Sequence, residues 1–377
     1  MIMRNTRTRL VAVLAVALLL VAALALLAAG CGGETTDESS TSTDITAGET
    51  TTSGAPLAAD LNGAGATFPL PVYVEWIGTF QEIQPGVKIN YQGVGSGAGI
   101  EQFTAQTVDF GASDAFMKDD ELAAAEAARA GAKVLHVPTA FGAITLAYNL
   151  PGVEGLKLDS DAVANIFLGK ITKWDDPAIE ALNPDATLPS SDIQTVHRSD
   201  SSGTTNAFTS YLTAVNKDWE AGPGKGKEVK WVGGVGGKGN DGVAAVVKQT
   251  EGAIGYVELA YAVLNDMTKA DVKNKSGNFV TPTLESTSAA ADGIEIPADM
   301  NLVVSDSANP EAYPIVTVTY ILAYDKMPDA AKAEAFKAWL TWALGDRGTA
   351  IATELGYAPL PTALKDAALE KIASIGS

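Results

Sequence analysis

Nine consecutive residues, His197-Arg198-Ser199-Asp200-Ser201-Ser202-Gly203-Thr204-Thr205, set a guanidinium among small hydroxyl-bearing side chains and a glycine. Ahead of them Ile193-Gln194-Thr195-Val196 alternates as a strand does. Behind them Phe208, Tyr211, Leu212 and Val215 fall at i, i+3, i+4 and i+7, the spacing of one buried helix face. The pattern predicts a strand-to-helix turn, with the helix over residues 206–217. The first N–H groups of a helix lack internal partners, and the helix dipole adds partial positive charge at that end. An oxyanion suits such a place. The same residues also make an ordinary N-cap, with Ser202 or Thr204 as the cap and Arg198–Asp200 as a surface ion pair. Taken alone, the stretch leaves both readings open.

Two other turns have a similar make-up. Gly63-Ala64-Gly65-Ala66-Thr67-Phe68 precedes one helical pattern, and Gly93-Val94-Gly95-Ser96-Gly97-Ala98-Gly99 opens another. Each offers a hydroxyl and free N–H groups at a helix start, and Asp114 ends a strand in the same half of the chain. Ligands of open α/β sheets gather beyond the carboxyl ends of strands, so these turns are expected to converge on one site.

Other chemistries are less well supported. Gly93-x-Gly95-x-x-Ala98 fits the dinucleotide fingerprint, with Asp114 as the acid downstream, but extra small residues crowd the turn and a second turn of the same kind exists. Gly236-Gly237-Lys238-Gly239 is not a P-loop, because Val232 and Gly239 stand where glycine and Ser or Thr are required. The two histidines and the single cysteine form no recognisable transition-metal set, so neither metal nor cofactor is expected. His136, between Leu135 and Val137, reads as a strand histidine facing a sheet or solvent. His197 has no G-x-S-x-G elbow to partner it. Asp175-Asp176 looks like an acid pair for glycoside chemistry, yet the following Pro177 makes Asp176 a helix cap. Asn240-Asp241 likewise reads as the cap of the helix carrying Val243 to Val247. Trp174 and Trp231 read as packing residues. The chain is expected to bind rather than to catalyse.

The elements that must position these groups alternate between strand and helix, the pattern of a mixed α/β fold. Tyr73, Trp76, Ile77 and Phe80 predict a helix opened by Pro69 and Pro71, and Val87 to Tyr91 alternates as a strand. Residues 108–114, 133–138, 143–148 and 314–322 read as further strands. The last long helix is expected from about Pro328 to Leu344, with Gly345 as its C-cap.

The chain opens with Arg4, Arg7 and Arg9, runs apolar from Leu10 to Ala29 and reaches Gly30-Cys31, which describes a secretory signal over residues 1–30. The apolar run is also long enough to span a bilayer, so a retained anchor is the alternative. Cys31 is the only cysteine, which rules out a disulfide within the chain. Ala28-Ala29-Gly30-Cys31 resembles the bacterial lipobox, whose cysteine is lipidated after cleavage, with Ala28 where the motif prefers Leu. Either reading places the body outside the cytoplasm and tethers it to a membrane. Residues 31–56 are rich in Thr, Ser, Gly and acids and read as a flexible stalk behind Cys31. The whole chain carries a net charge of −19, and because residues 1–30 hold three arginines and no acid, the remainder carries −22. Such a charge argues against nucleic acid and anionic lipid as partners.

Seven segments together resemble the substrate-binding proteins of high-affinity, Pst-type phosphate ABC importers. They are Gly63 to Pro69, Tyr91 to Gly97, Asp109 to Asp114, Gly169 to Asp176, Arg198 to Thr204, Gly236 to Gly242 and Gly252 to Glu258. The resemblance implies a two-lobed, type II-like periplasmic-binding-protein fold that closes about a two-stranded hinge. Its lobes would comprise residues 57–139 with 314–377, and residues 140–313, with crossings near Thr139-Ala140 and Tyr313-Pro314. It implies a monomer that binds inorganic phosphate and delivers it to the permease subunits of the importer. By position, Thr67 and Phe68 would give backbone N–H groups, with the Thr67 hydroxyl assisting, and Ser96 its hydroxyl and N–H. Arg198 would be the one cation, oriented by Asp200, and Ser202, Gly203 and Thr204 would supply donors from a helix start. Asp114 would accept a hydrogen bond from the ligand's own proton, which phosphate carries and sulfate lacks. A site for another tetrahedral oxyanion, such as sulfate or molybdate, and a secreted phosphatase are the alternatives. Ser201, His197 and Gly97 depart from the residues common in that family.

Overall fold

A computed structural model describes residues 57–377; the leader, Cys31 and the stalk lie outside the described residues. Among the described residues no helix is long and apolar enough to cross a membrane. The strands are β1 (Ala59–Gly65), β2 (Val87–Gly93), β3 (Phe110–Ser113), β4 (Val134–Tyr148), β5 (Lys157–Leu158) and β6 (Gln194–Arg198). They continue with β7 (Val235–Gly237), β8 (Ala253–Glu258), β9 (Thr268–Lys269), β10 (Asp271–Lys273), β11 (Phe279–Val280) and β12 (Val316–Tyr324). Nine of them form one sheet in the order β2-β1-β3-β12-β4-β8-β6-β7, with β9 beside β4, while β11, β10 and β5 make a small second sheet.

β1, β2 and β3 are parallel to one another, and so are β6, β7 and β8. β4 and β12 run antiparallel between these two sets. β4 pairs with β12 as far as Ala143 and with β8 from Ile144 onward, so one strand belongs to both halves of the sheet. The sequence suggests two separate strands here, over residues 133–138 and 143–148. The structure joins them, because Ala140 to Gly142 have partners of their own in β12 and in an isolated bridge from Phe141 to Ala358. Glycine at 142 marks a close approach and not a turn: a Cβ there would lie 2.5 Å from Cζ of Phe68. The pairing slips between Thr319 and Tyr320, opposite Thr139, and Pro138 is tolerated in this central strand beside that irregularity.

Helices cover the sheet where the apolar spacing placed them. Leu70–Ile83 buries Tyr73, Trp76, Ile77 and Phe80, and Trp76 Nε1 donates to Gly348 O at 2.7 Å. Gly203–Val215 buries Phe208, Tyr211 and Leu212. Asp176 caps the short helix Pro177–Glu180 as expected, accepting from Ala178 N. The late helix spans Ala330–Ala343 and is capped by Asp329. Gly345 is not its C-cap: its φ of −76° is not left-handed, and it is the N-cap of the next helix, Asp346–Glu354. His136 faces the interior and not solvent. Its ring stacks on Phe116 with centroids 3.7 Å apart and Nε2 accepts from Met117 N, while burial drives its pKa down to about 3.

Gly99, in the helix Ser96–Thr104, would carry its Cβ 2.4 Å from Gly65 Cα and 2.9 Å from Ala64 O. Both neighbours are backbone of β1, which cannot yield as a side chain does. Gly99→Ala should therefore destabilise the fold by about 1–3 kcal/mol, measured as a lower urea midpoint with an unchanged slope.

Candidate anion-binding site

The parallel strands deliver their ends to one place. β1 leads into Ala66-Thr67-Phe68, β2 into Ser96, β3 into Asp114, and β6 ends at Arg198 ahead of the helix start at Gly203. Thr67, Phe68, Ser96, Asp114, Arg198, Ser202 and Thr204 are all buried. Gly203 N donates to Ser96 Oγ at 3.0 Å, and Asp114 N donates to the same oxygen at 3.3 Å. Asn240 Nδ2 donates to Thr67 Oγ1 at 2.9 Å and to Thr204 Oγ1 at 3.2 Å. Arg198 Nη1 donates to Thr204 Oγ1 at 3.3 Å. These bonds draw Thr67, Ser96, Asp114, Arg198, Gly203 and Thr204 together through Asn240 and one another, with Phe68 and Ser202 next to them in the chain.

The hydroxyls show what the cleft favours. A hydroxyl has one proton and two acceptor lone pairs. Thr67 Oγ1 accepts from both N and Nδ2 of Asn240. Thr204 Oγ1 accepts from Arg198 and Asn240. Ser96 Oγ accepts from Gly203 and Asp114. In each case protein donors use the acceptor capacity; the protons of Thr67 and Thr204 remain to offer, while that of Ser96 is shared with the Asp114 carboxyl. Among the described residues, the N–H groups of Thr67 and Phe68 donate to no protein acceptor. At the third turn Ser202 N donates to Lys227 O and its Oγ caps the helix by accepting from Thr205 N. The cap reading of this turn therefore holds, with Ser202 as the cap.

Arg198 and Asp200 do not form a surface pair. The guanidinium side chain is 1 % exposed and grips the carboxylate through Nε at 2.8 Å and Nη2 at 2.5 Å. Burial pushes the Asp200 carboxyl up, but Arg198 and the N–H of Gly239 more than offset it, leaving it below the usual carboxylate range. Asp114 has the opposite balance. Burial raises it from 3.8 to about 7, against the lowering effects of Thr319, Arg198 and Ser96. Thr319 Oγ1 donates to Asp114 Oδ1 at 2.8 Å, and Oδ2 faces Gly203, whose built Cβ would lie 2.7 Å from it.

Asn240 is a candidate site residue that the sequence reading missed. Expected as a cap, it lies within the first turn of the helix Gly239–Gln249, whose N-cap is Lys238. Its side chain turns inward because Glu258 N occupies Oδ1 at 3.0 Å and aims Nδ2 at the two threonines. The signal was its place in the Gly236–Gly242 segment; local capping rules pointed elsewhere. His197 stacks on Trp231 with ring centroids 4.7 Å apart, and among the described residues no group of acids, histidines or cysteines could hold a metal ion.

A family model described as a PBP superfamily domain matches residues 48–347. The Phosphate-binding protein PstS of Haemophilus influenzae is 42% identical over 307 residues, covering 80% of this chain and 89% of that protein. PstS3 of Mycobacterium bovis is 37% identical over 358 residues, covering 91% of this chain and 94% of its own. A solved high-affinity periplasmic phosphate-binding protein with bound phosphate superposes with a TM-score of 0.68 at 26% identity, covering 82% of this chain and 92% of that one.

Asp114 makes stability depend on pH. A carboxyl whose pKa rises on folding favours the folded state below its unfolded value, and that contribution is lost as pH climbs from about 4 to about 7. Asp114→Asn should remove it, so the wild-type advantage over the variant should shrink by on the order of 2 kcal/mol or more across that span. Burial raises Glu258 in the same sense, so the variant keeps some slope of its own. Urea midpoints from pH 4.5 to 7.5 check this, and parallel curves would contradict it.

Proposed function

The chain belongs to the PBP superfamily and, within it, to the family of PstS phosphate-binding proteins, and on that premise we propose that it binds inorganic phosphate outside the cytoplasm and delivers it to the permease of an ABC importer. The observation that carries the reading is the set of hydroxyls and N–H groups left only as donors around Arg198, with one carboxyl, Asp114, among them. Donors alone suit any oxyanion. A carboxyl in their midst suits one that brings a proton.

In this reading Thr67 and Phe68 give N–H groups and Thr67 its hydroxyl, Ser96 and Ser202 give hydroxyls, and Thr204 gives hydroxyl and N–H. Gly203 is the point of closest approach, and Arg198, steadied by Asp200, supplies the positive charge. Asp114 as carboxylate accepts the O–H of phosphate. Facing sulfate it would be an acceptor with no donor, beside a second negative charge. Residues 57–139 with 314–377 form one lobe and 140–313 the other, with β4 and β12 as the hinge and the change of pairing at Ala143/Ile144 in support. The protein works as a monomer held to the membrane through lipidated Cys31, and the closed lobes present the surface that the permease reads. The chemistry is binding without turnover; release of an aryl alcohol from an aryl phosphate would favour a phosphatase instead.

Calorimetric titration with phosphate, sulfate and molybdate tests the reading. Phosphate should bind more tightly than sulfate by tenfold to a few hundredfold, the equivalent of about 1–3 kcal/mol for one unpaired buried group. The ratio should narrow as pH falls below about 7, because protonated Asp114 can then donate to sulfate. Asp114→Asn should narrow it above about pH 7 and change it little well below; an unchanged ratio at high pH removes Asp114 from the mechanism, and preference for sulfate or molybdate moves the site to another oxyanion. Gly203→Ala would set a methyl 2.5 Å from Ser96 Oγ. It should weaken phosphate binding at least tenfold and lower the unfolding midpoint as well, since Asp114 Cβ, 2.7 Å away, cannot yield as a side-chain tip does, as measured by titration and thermal unfolding together.

A further inference from the structure

Three successive carbonyls beside the cleft each receive a tyrosine hydroxyl. Tyr91 Oη donates to Ala66 O at 2.6 Å, Tyr261 Oη to Thr67 O at 2.5 Å, and Tyr357 Oη to Phe68 O at 2.6 Å. In a trans peptide the carbonyl and the N–H of the next residue point in opposite directions. Tyr91 therefore orients the peptide that carries Thr67 N–H, and Tyr261 the one that carries Phe68 N–H. Tyr357 holds the peptide that joins Phe68 to Pro69, which has no N–H to offer.

The three tyrosines do not come from the same side. Tyr91 lies in β2, in the same half of the sheet as β1. Tyr261 lies in the helix Leu259–Leu264, which continues from β8 in the other half and is capped by Glu258. It is 6 % exposed, so the residue is largely out of contact with water. Asn240, which fixes Thr67 Oγ1 through two bonds, belongs to that other half too. One half of the molecule thus sets the geometry of donors that the other half carries.

We propose that Tyr261, seconded by Asn240, is a positioning residue that finishes the anion site only when the lobes meet. Closure brings the Tyr261 hydroxyl onto Thr67 O, turns the Phe68 N–H toward the anion and strengthens it as a donor, since hydrogen bonds in series polarise one another. Closing and gripping are then one event. This rests on the phosphate reading above and assigns the residues that link that reading to lobe movement.

The test uses the mature chain and inorganic phosphate, with association and dissociation rates followed by tryptophan fluorescence in stopped flow. Tyr261→Phe keeps the ring and deletes the bond. Its dissociation rate should rise about tenfold while its association rate stays within twofold of wild type, because the bond exists only after closure. Asn240→Ala should show the same one-sided change. Tyr91→Phe acts in open and closed forms alike and should also slow association. Tyr357→Phe should lower the unfolding midpoint and leave both rates within twofold. An unchanged dissociation rate in a folded Tyr261→Phe, or an equal loss in both rates, overturns the proposal alone. A wild-type chain that takes up no phosphate overturns the phosphate reading and this inference with it.

Discussion

Asn240 gives its side-chain amide to the hydroxyls of Thr67 and Thr204 together, and Arg198 gives a guanidinium N–H to the second of them. Those bonds decide the character of the cleft. They occupy acceptor capacity that would otherwise repel an anion, and leave the hydroxyl protons as what these groups can still offer. Formal charge contributes little by comparison, since Asp200 already sits against Arg198. The inner site is near neutral when Asp114 holds a proton and negative when it does not. A body of strongly negative charge can hold an anion on these terms because its distant carboxylates are screened beyond about 8 Å at physiological ionic strength, whereas fixed dipoles act at contact.

The sheet is arranged to bring such dipoles together. Two parallel sets of strands send their carboxyl ends to a common space, and β4 and β12 join the sets. The shared strand is also where the fold departs from regularity. The slipped pairing opposite Thr139 lies next to Thr319, whose hydroxyl reaches Asp114, so the carboxyl proposed to read the ligand's proton is tied to the strand that joins the halves.

Much of this was legible in the amino-acid sequence because it rests on local rules. The turn at Arg198 to Thr204, the buried helix face from Tyr73 to Phe80 and the cap at Asp176 each follow from spacing or from one residue's preference. What escaped was governed by neighbours distant in the chain. Asn240 looked like a cap because Asn before an apolar helix usually is one; Glu258 N and Thr67 Oγ1 claimed its side chain instead. Gly345 looked like a helix terminator, yet the next helix begins so soon that the glycine serves its start. Gly142 sits in the gap between two apolar runs, where glycine suggests a break, and only the Phe68 ring pressed against it explains an unbroken strand. The three tyrosine hydroxyls have no sequence signature, since any buried tyrosine needs some acceptor.

That contact between Phe68 and Gly142 ties two functions to one side chain. Phe68 hangs its ring on the strand common to both halves, and its own N–H donates to no protein acceptor among the described residues. If β4 twists there, the room for the ring changes, and a displaced ring tilts the backbone it hangs from. In the phosphate reading, occupancy and twist would then be geared through a single aromatic lever, a transmission where a simple flap would have only a lid.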